Sequence, residues 1–186
     1  MLILIPNLLT ALSFALGIYS MVFLHRGGDA MMACWIIFVC AILDVLDGSL
    51  ARSLNATSSF GRFFDSAADF VSFGLVPVFV SGVLARDHGI LFLISSGVYL
   101  SSCLFRLIRF HLLTREKTAD FFLGLPITAS ACFFAAAVLT LNARLSMPAL
   151  IFLQILLAFL MVSKMPVPRL RFRFLRNPKE VFDGES

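Results

Sequence analysis

The chain has 186 residues, of which 60% are hydrophobic and 14% charged, with a mean hydropathy of +0.96 and a net charge of +4. A soluble domain needs a far more polar surface than this composition supplies, so the soluble classes of protein are excluded. We therefore expect the chain to lie in a lipid bilayer, with membrane lipids around it and no nucleic-acid partner.

Six apolar stretches are each long enough, as a helix, to cross a hydrocarbon core of about 30 Å. The first is interpreted as a permanent span, because nothing basic precedes it and its apolar run is longer than that of a usual signal peptide. We predict an all-α integral membrane protein with six transmembrane helices and a single domain over residues 1–186. In chain order the predicted helices cover residues 3–24, 30–52, 62–85, 89–110, 121–142 and 147–163.

The basic residues divide unevenly between the two sides of these six helices. Of the 15 Lys and Arg residues, 12 fall in the loops 52–64 and 106–120 and in residues 164–186, all on one side. By the positive-inside rule both termini are then cytoplasmic, and residues 164–186 form a basic cytoplasmic tail. The tail is either a topology signal alone or also a contact with anionic head groups.

Four of the 11 acidic residues lie within or at the ends of the second and third predicted helices, namely Asp44, Asp47, Asp65 and Asp69. An unpaired charge at mid-bilayer costs about 2.5–3.5 kcal/mol on insertion scales, so these carboxylates need partners. Asp44 and Asp47 share one face of the second helix, and Asp65 and Asp69 share one face of the third. A short loop makes the two helices antiparallel, so we expect the four carboxylates to meet near the cytoplasmic interface.

Four clustered carboxylates repel one another, and two divalent cations neutralise them while fixing their geometry. Mg²⁺ and Mn²⁺ prefer oxygen ligands, so the cluster predicts a site for two such ions. Gly48 and Gly61 lie beside the acids and leave room for the phosphates of a bulky ligand. Close helix packing is the alternative explanation for these glycines, and a proton pathway is the alternative explanation for the acids.

The acids belong to a longer pattern, Asp44-x2-Asp47-Gly48-x2-Ala51-Arg52-x8-Gly61-x3-Asp65-x3-Asp69. At every fixed position this pattern resembles the signature of the CDP-alcohol phosphotransferase family, whose members are membrane enzymes with six transmembrane helices and are commonly homodimers. The resemblance implies a site with two metal ions.

The same resemblance implies roles for the residues of the pattern. Asp44, Asp47 and Asp65 would bind metal. Asp69 would both touch metal and act as the general base on the acceptor hydroxyl. The CDP group would lie against the small and basic residues of the pattern, which are Gly48, Ala51, Arg52 and Gly61.

Five longer segments, one of which includes Asp65 and Asp69 of the signature, resemble bacterial-type phosphatidylserine synthases. The resemblance implies transfer of the phosphatidyl group of CDP-diacylglycerol to L-serine, giving phosphatidylserine and CMP, in phospholipid biosynthesis at the cell membrane. The matching segments are Ile5–Thr10, Phe64–Gly74, Phe105–Phe110, Gly124–Pro126 and Leu160–Ser163. Three positions depart from the pattern: Ser13 and His111 stand in place of Asn, and Thr128 in place of a common Pro.

Two further pairs of residues are candidates for substrate contacts. Arg106 and Arg109, near the cytoplasmic end of the fourth helix, are predicted to bind the acceptor carboxylate or a phosphate. Snorkelling to the membrane interface is the alternative explanation for both. The resemblance suggests that Asn7 and Thr10 contact the nucleotide, although capping of a helix start explains them as well.

Three other functions remain compatible with the sequence. In the first, the enzyme uses another acceptor alcohol, such as glycerol 3-phosphate or an inositol phosphate, or an archaeal ether lipid. In the second, the protein is an ion or proton transporter whose pathway is lined by the four aspartates, and it releases no CMP. In the third, the polar helices serve only to bring subunits together. The sequence also fits a protein of the endoplasmic reticulum membrane instead of the cell membrane.

Overall fold

A computed structural model of the protein describes residues 4–53, 59–85, 89–113, 122–141, 144–163 and 166–167. The described chain is helical apart from two short strands, β1 (Phe122–Leu123) and β2 (Pro166–Val167), which pair antiparallel. A π-helix over Phe70–Leu75 joins α3 to α4. The α-helices are α1 (Leu4–His25), α2 (Ala30–Ser53), α3 (Ser59–Asp69), α4 (Val76–Ala85), α5 (Ile90–Leu113), α6 (Ile127–Thr140) and α7 (Met147–Val162).

Four of the predicted spans are confirmed as helices long and apolar enough to cross a membrane: Asn7–His25, Ala30–Ala51, Gly61–Ala85 and Ile90–Arg109. The last two are present as shorter apolar helices, α6 and α7, of 14 and 16 residues. At 1.5 Å per residue these extend about 21 and 24 Å. The all-α membrane fold is thus confirmed, with two helices shorter than the sequence predicted.

The start of α6 is the largest difference from the predicted elements, since the helix begins at Ile127 rather than at residue 121. Pro126 disfavours a helical conformation at the residue before it. Gly124 has a φ of +86°, a conformation that L side chains rarely adopt. A Cβ on Gly124 would meet the main-chain oxygens of Met161 and Ser163, so this glycine lets the chain pack against the end of α7.

The third predicted span is continuous, but it changes helical type directly after Asp69. In the π-helix the Val76 N–H donates to the Val71 carbonyl oxygen, five residues back. The Tyr99 hydroxyl of α5 donates to the Phe73 carbonyl oxygen at 3.0 Å. A buried hydrogen-bond donor from a neighbouring helix therefore supports the wider turn, a type of turn found often at functional sites.

Apolar side chains lie on the outside of the helix bundle as well as in its core. Trp35 is 61% exposed and Phe159 is 72% exposed, whereas Phe73 and Tyr99 are fully buried. A soluble protein rarely exposes large contiguous apolar patches. The outward-facing aromatic and aliphatic residues are those that a hydrocarbon environment solvates, in agreement with a membrane protein that crosses the bilayer several times.

The order of the helices brings five helix ends to the same end of the bundle. α1 packs along α2, and α2 also contacts α6. The start of α1 lies beside the end of α2, because Thr10 contacts Asp47. The start of α6 lies there too, because Thr128 contacts Asp44. α3, which carries Asp65 and Asp69, and the last turns of α5, which carry Arg106 and Arg109, complete this group.

We predict that Gly124→Ala destabilises the protein more than Gly27→Ala. Both glycines have a positive φ, +86° and +87°, but a Cβ on Gly27 meets nothing within 4 Å. Gly27→Ala should cost about 1–2 kcal/mol, the usual penalty of the left-handed conformation. Gly124→Ala adds overlap with backbone oxygens that are not free to move. Thermal unfolding of the two variants in detergent measures both losses of stability. Equal losses in the two variants would contradict the prediction.

Candidate active site

Three carboxylates meet between α2 and α3. One oxygen from each of Asp44, Asp47 and Asp65 lies within 4.8 Å of the other two. Asp47 is only 4% exposed, and the other two side chains are partly buried. Divalent cations take oxygen ligands at about 2.0–2.6 Å, so oxygens this close together are able to share an ion. The residues present fit a site for a hard divalent cation.

Asp69 lies at the end of α3, one helical turn after Asp65 and directly before the π-helix. It is close enough to Asp44, Asp65 and Arg106 to interact with them electrostatically. It is not a member of the compact group of three oxygens. Its roles as fourth metal ligand and as general base stay predictions.

Thr10 contacts the acidic cluster from α1. Its Oγ1 donates to Asp47 Oδ2 at 2.7 Å, and both side chains are buried. Because α1 already begins at Leu4, neither Asn7 nor Thr10 caps the start of this helix, and the capping explanation is wrong for both. Nucleotide binding by these two residues stays a prediction, and the hydrogen bond to Asp47 is a contact that the sequence did not indicate.

Thr128 contacts the cluster from the opposite part of the chain. Its Oγ1 donates to Asp44 Oδ2 at 2.9 Å, 84 residues away in sequence. In the sequence Thr128 is only a departure from the family pattern, where Pro is common, and no role follows from it. The single available signal was a polar side chain in the first turn of an apolar helix, which by itself does not identify a partner.

Arg106 brings a positive charge to the same end of the bundle. Its side chain is partly buried and interacts electrostatically with Asp69 and Asp44. The Nε atom is buried, and no residue in the described ranges accepts a hydrogen bond from it. Arg109 lies one turn later on α5 and is partly buried too. The Nε of Arg106 is thus a buried donor available to an anionic ligand.

The remaining predicted residues lie on α1, α2 and α3. Partly buried ones are Asn7 on α1, Gly48 and Ala51 on α2, and Gly61 on α3. The side chains of Arg52 and His111 lie outside the described residues.

Comparison with known proteins assigns the chain to a family. The profile of the CDP-alcohol phosphatidyltransferases matches residues 3–165, nearly the whole chain. The chain belongs to this family. The predicted signature Asp44 to Asp69 lies inside the matched range, together with Thr10, Arg106 and Thr128.

The chain is similar to named proteins from bacteria and archaea. A Helicobacter pylori strain J99 protein, CDP-diacylglycerol–serine O-phosphatidyltransferase, is 38% identical over 140 residues, which cover 75% of this chain and 59% of that protein. A protein of the same name from Mycobacterium bovis is 35% identical, covering 68% of this chain and 46% of its own length. An archaetidylserine synthase from Methanothermobacter thermautotrophicus is 30% identical, covering 89% and 70%. The chain thus matches less than two thirds of the length of the bacterial relatives.

We predict that Asp65→Asn stabilises the metal-free protein and abolishes its stabilisation by Mn²⁺. Removing one charge relieves the repulsion among three carboxylates within 4.8 Å, and it also removes a cation ligand. Thermal unfolding in detergent, with chelator and then with Mn²⁺, measures both effects. Each kcal/mol corresponds to a shift of about 2–4 °C in a chain of this size.

Asp29→Asn is the matched control, because the Asp29 carboxylate accepts a hydrogen bond from the Met31 N–H at the start of α2. Asparagine caps a helix as well as aspartate, so this variant should behave like the wild type in both conditions. A Mn²⁺ response that survives in Asp65→Asn would contradict the predicted metal site.

Proposed function

We propose that the protein transfers the phosphatidyl group of CDP-diacylglycerol to the hydroxyl of L-serine, releasing CMP. The observation that carries the proposal is the group of three carboxylate oxygens within 4.8 Å, at the signature positions of a CDP-alcohol phosphatidyltransferase. The names of the bacterial relatives support serine as the acceptor. Membership of this family favours the transferase over a transporter or a purely structural protein.

Asp44, Asp47 and Asp65 would hold Mg²⁺ or Mn²⁺, with Asp69 as an additional ligand to a second ion. When bound, the metal supplies positive charge that stabilises the pyrophosphate and the departing CMP. The chain holds the carboxylates on two helices rather than on a loop, so their relative positions are fixed before substrate binds.

Asp69 is proposed to accept the proton of the serine hydroxyl. The serine oxygen forms a bond to the phosphorus that carries diacylglycerol, and the bond from that phosphorus to CMP breaks. General-base catalysis of this kind contributes typically 10²- to 10⁴-fold. The place of Asp69 outside the compact group supports this assignment, because a base that moves a proton needs a carboxylate oxygen that is not occupied by a cation.

The CDP group is proposed to lie along α1, α2 and the start of α3. Gly48, Ala51 and Gly61 would leave room for the nucleotide and its phosphates, since none of them carries a bulky side chain. Arg52, Asn7 and Thr10 would provide polar contacts to it.

Arg106 and Arg109 are proposed to bind the carboxylate of serine. The support is the buried Nε of Arg106, which lacks an acceptor among the described residues while lying near Asp69. A guanidinium group binds a carboxylate through two parallel hydrogen bonds. An acceptor bound in this way would present its hydroxyl close to the proposed base.

The proposed setting is the cytoplasmic membrane of a cell, with both termini and the site on the cytoplasmic side. The distribution of Lys and Arg between the loops supports this orientation. The predicted basic tail, residues 164–186, lies outside the described residues except for β2. Assembly as a homodimer stays a prediction. The archaetidylserine synthase relative favours a second candidate, in which the same chemistry acts on an archaeal CDP-lipid.

We predict that purified protein with Mn²⁺ or Mg²⁺ releases CMP from CDP-diacylglycerol in the presence of L-serine, and that Asp69→Asn lowers this rate by about 10²- to 10⁴-fold. Parallel reactions contain glycerol 3-phosphate or an inositol phosphate instead of serine, or an ether-linked CDP-lipid. Chelator should abolish release. Asp29→Asn, which keeps the cap of α2, should retain the wild-type rate.

CMP release only with another acceptor would indicate that this alcohol, rather than serine, is the acceptor. A preference for the ether-linked CDP-lipid would favour the archaeal substrate. Well-folded protein that releases no CMP with any combination would overturn the proposed enzyme.

We predict that Arg106→Gln raises the KM for L-serine about 10- to 150-fold, the loss of a hydrogen bond to a charged group worth about 1.5–3 kcal/mol. The KM for CDP-diacylglycerol should change much less, because the arginine is assigned to the acceptor. Steady-state kinetics with each substrate varied in turn measures both constants. A rise in the KM for the CDP-lipid alone would indicate that Arg106 binds a phosphate of that lipid instead of the serine carboxylate.

A further inference from the structure

A threonine outside the family signature contacts the acidic cluster directly. We propose that Thr128 is a positioning residue that fixes the carboxylate of Asp44 for metal binding. The contact is the 2.9 Å hydrogen bond from Thr128 Oγ1 to Asp44 Oδ2. The inference rests on the proposed metal site and adds to it a residue from α6, a helix that contributes none of the predicted ligands.

The physical need for such a contact comes from the aspartate side chain itself. The χ2 torsion of Asp takes a broad range of angles, so the backbone of α2 does not by itself fix the direction of the carboxylate oxygens. A hydroxyl donor occupies only one of the about four lone-pair positions of a carboxylate, so the contact is compatible with metal binding. Hydrogen bonds to an ionised group are stronger than neutral ones, and more so away from water. Thr128 thereby selects an orientation of Asp44 without blocking it.

The second aspartate of α2 is held in the same manner. Thr10 Oγ1 donates to Asp47 Oδ2 at 2.7 Å. The two threonines come from different helices, α1 and α6, and each contacts one predicted metal ligand. Groups that orient metal ligands from outside the coordination sphere typically change metal affinity by 10- to 100-fold when they are removed. The paired arrangement is the one expected of residues that orient ligands.

The backbone that carries Thr128 is itself well anchored. Thr128 lies in the first turn of α6, next to Ile127, which is 1% exposed. The Ser130 N–H donates to the Pro126 carbonyl oxygen at 2.9 Å, and the Leu125 N–H donates to the Leu160 carbonyl oxygen at 3.1 Å. A positioning group needs this support, because a side chain on a loose segment cannot fix the orientation of another.

A purely structural role for the same bond makes a different prediction. If Thr128 only ties α6 to α2, its removal lowers the yield or thermal stability of the protein and leaves metal affinity unchanged. If it orients Asp44, its removal weakens metal binding in protein that is fully folded. Metal affinity, measured without substrate, therefore separates the two roles.

The experiment is a titration of the purified full chain with Mn²⁺, in which electron paramagnetic resonance detects the free ion. Thr128→Val keeps the shape of the side chain but removes the hydroxyl, and it should weaken Mn²⁺ binding about 10- to 100-fold. Thr128→Ser retains the hydroxyl and should restore most of the affinity. Thr140→Val is the matched control on the same helix, since the Thr140 hydroxyl donates to the Ala136 carbonyl oxygen of α6 itself, and it should bind Mn²⁺ like the wild type.

Enzyme kinetics provide a second measurement. In Thr128→Val the Mn²⁺ concentration for half-maximal activity should rise by a similar factor, while kcat at saturating Mn²⁺ falls much less. If Thr128→Val does not fold, Thr128→Ala is the second variant without the hydroxyl, and the partly buried position accommodates it.

Equal Mn²⁺ affinity in the wild type and in folded Thr128→Val or Thr128→Ala would overturn the positioning role and leave the metal site intact. Failure of Thr128→Ser to restore affinity would overturn it as well. A wild-type protein that binds no Mn²⁺ would instead overturn the metal site, and with it both proposals.

Discussion

The repulsion among carboxylates inside a membrane protein is the constraint on which the rest of this structure depends. Asp44, Asp47 and Asp65 place oxygens within 4.8 Å of one another, and the Asp47 side chain is buried, where an unpaired charge is costly. Such a group persists in a fold only where hydrogen-bond donors or cations compensate it. The neighbouring helices supply the donors, with Thr10 on Asp47 and Thr128 on Asp44. The proposed metal ions complete the compensation.

The helix order explains how so short a chain builds a complete site. Successive antiparallel helices return the chain to the same end of the bundle, so that α1, α2, α3, α5 and α6 each contribute one end to it. Charged and polar groups collect there, while apolar side chains such as Trp35 and Phe159 cover the lipid-facing surface. The π-helix after Asp69 and the close approach of Gly124 to the end of α7 are irregular features near the site in the described part of the chain. Both occur where the backbone has to depart from a regular helix for neighbouring elements to fit.

The signature of the family covers only part of what surrounds the acids. Its residues come from α2 and α3, whereas the hydrogen bonds that orient two of the aspartates come from α1 and α6. Arg106, on α5, brings the positive charge and a buried donor that the acidic cluster lacks. The chemistry proposed for this protein therefore depends on the packing of five helices, and differences between family members are expected in the supporting helices as much as in the signature.

The sequence by itself determined the membrane class, the four long spans and the meeting of the acids of α2 and α3, because hydropathy and helical periodicity are local properties of the chain. It did not determine the π-helix, the packing of Gly124 against the end of α7, or the partners of Asp44 and Asp47. Those depend on contacts between residues far apart in sequence: Gly124 with Met161, Tyr99 with Phe73, and Thr128 with Asp44. A threonine in an apolar helix has the same local pattern whether it faces lipid or a carboxylate, and only the tertiary packing decides which.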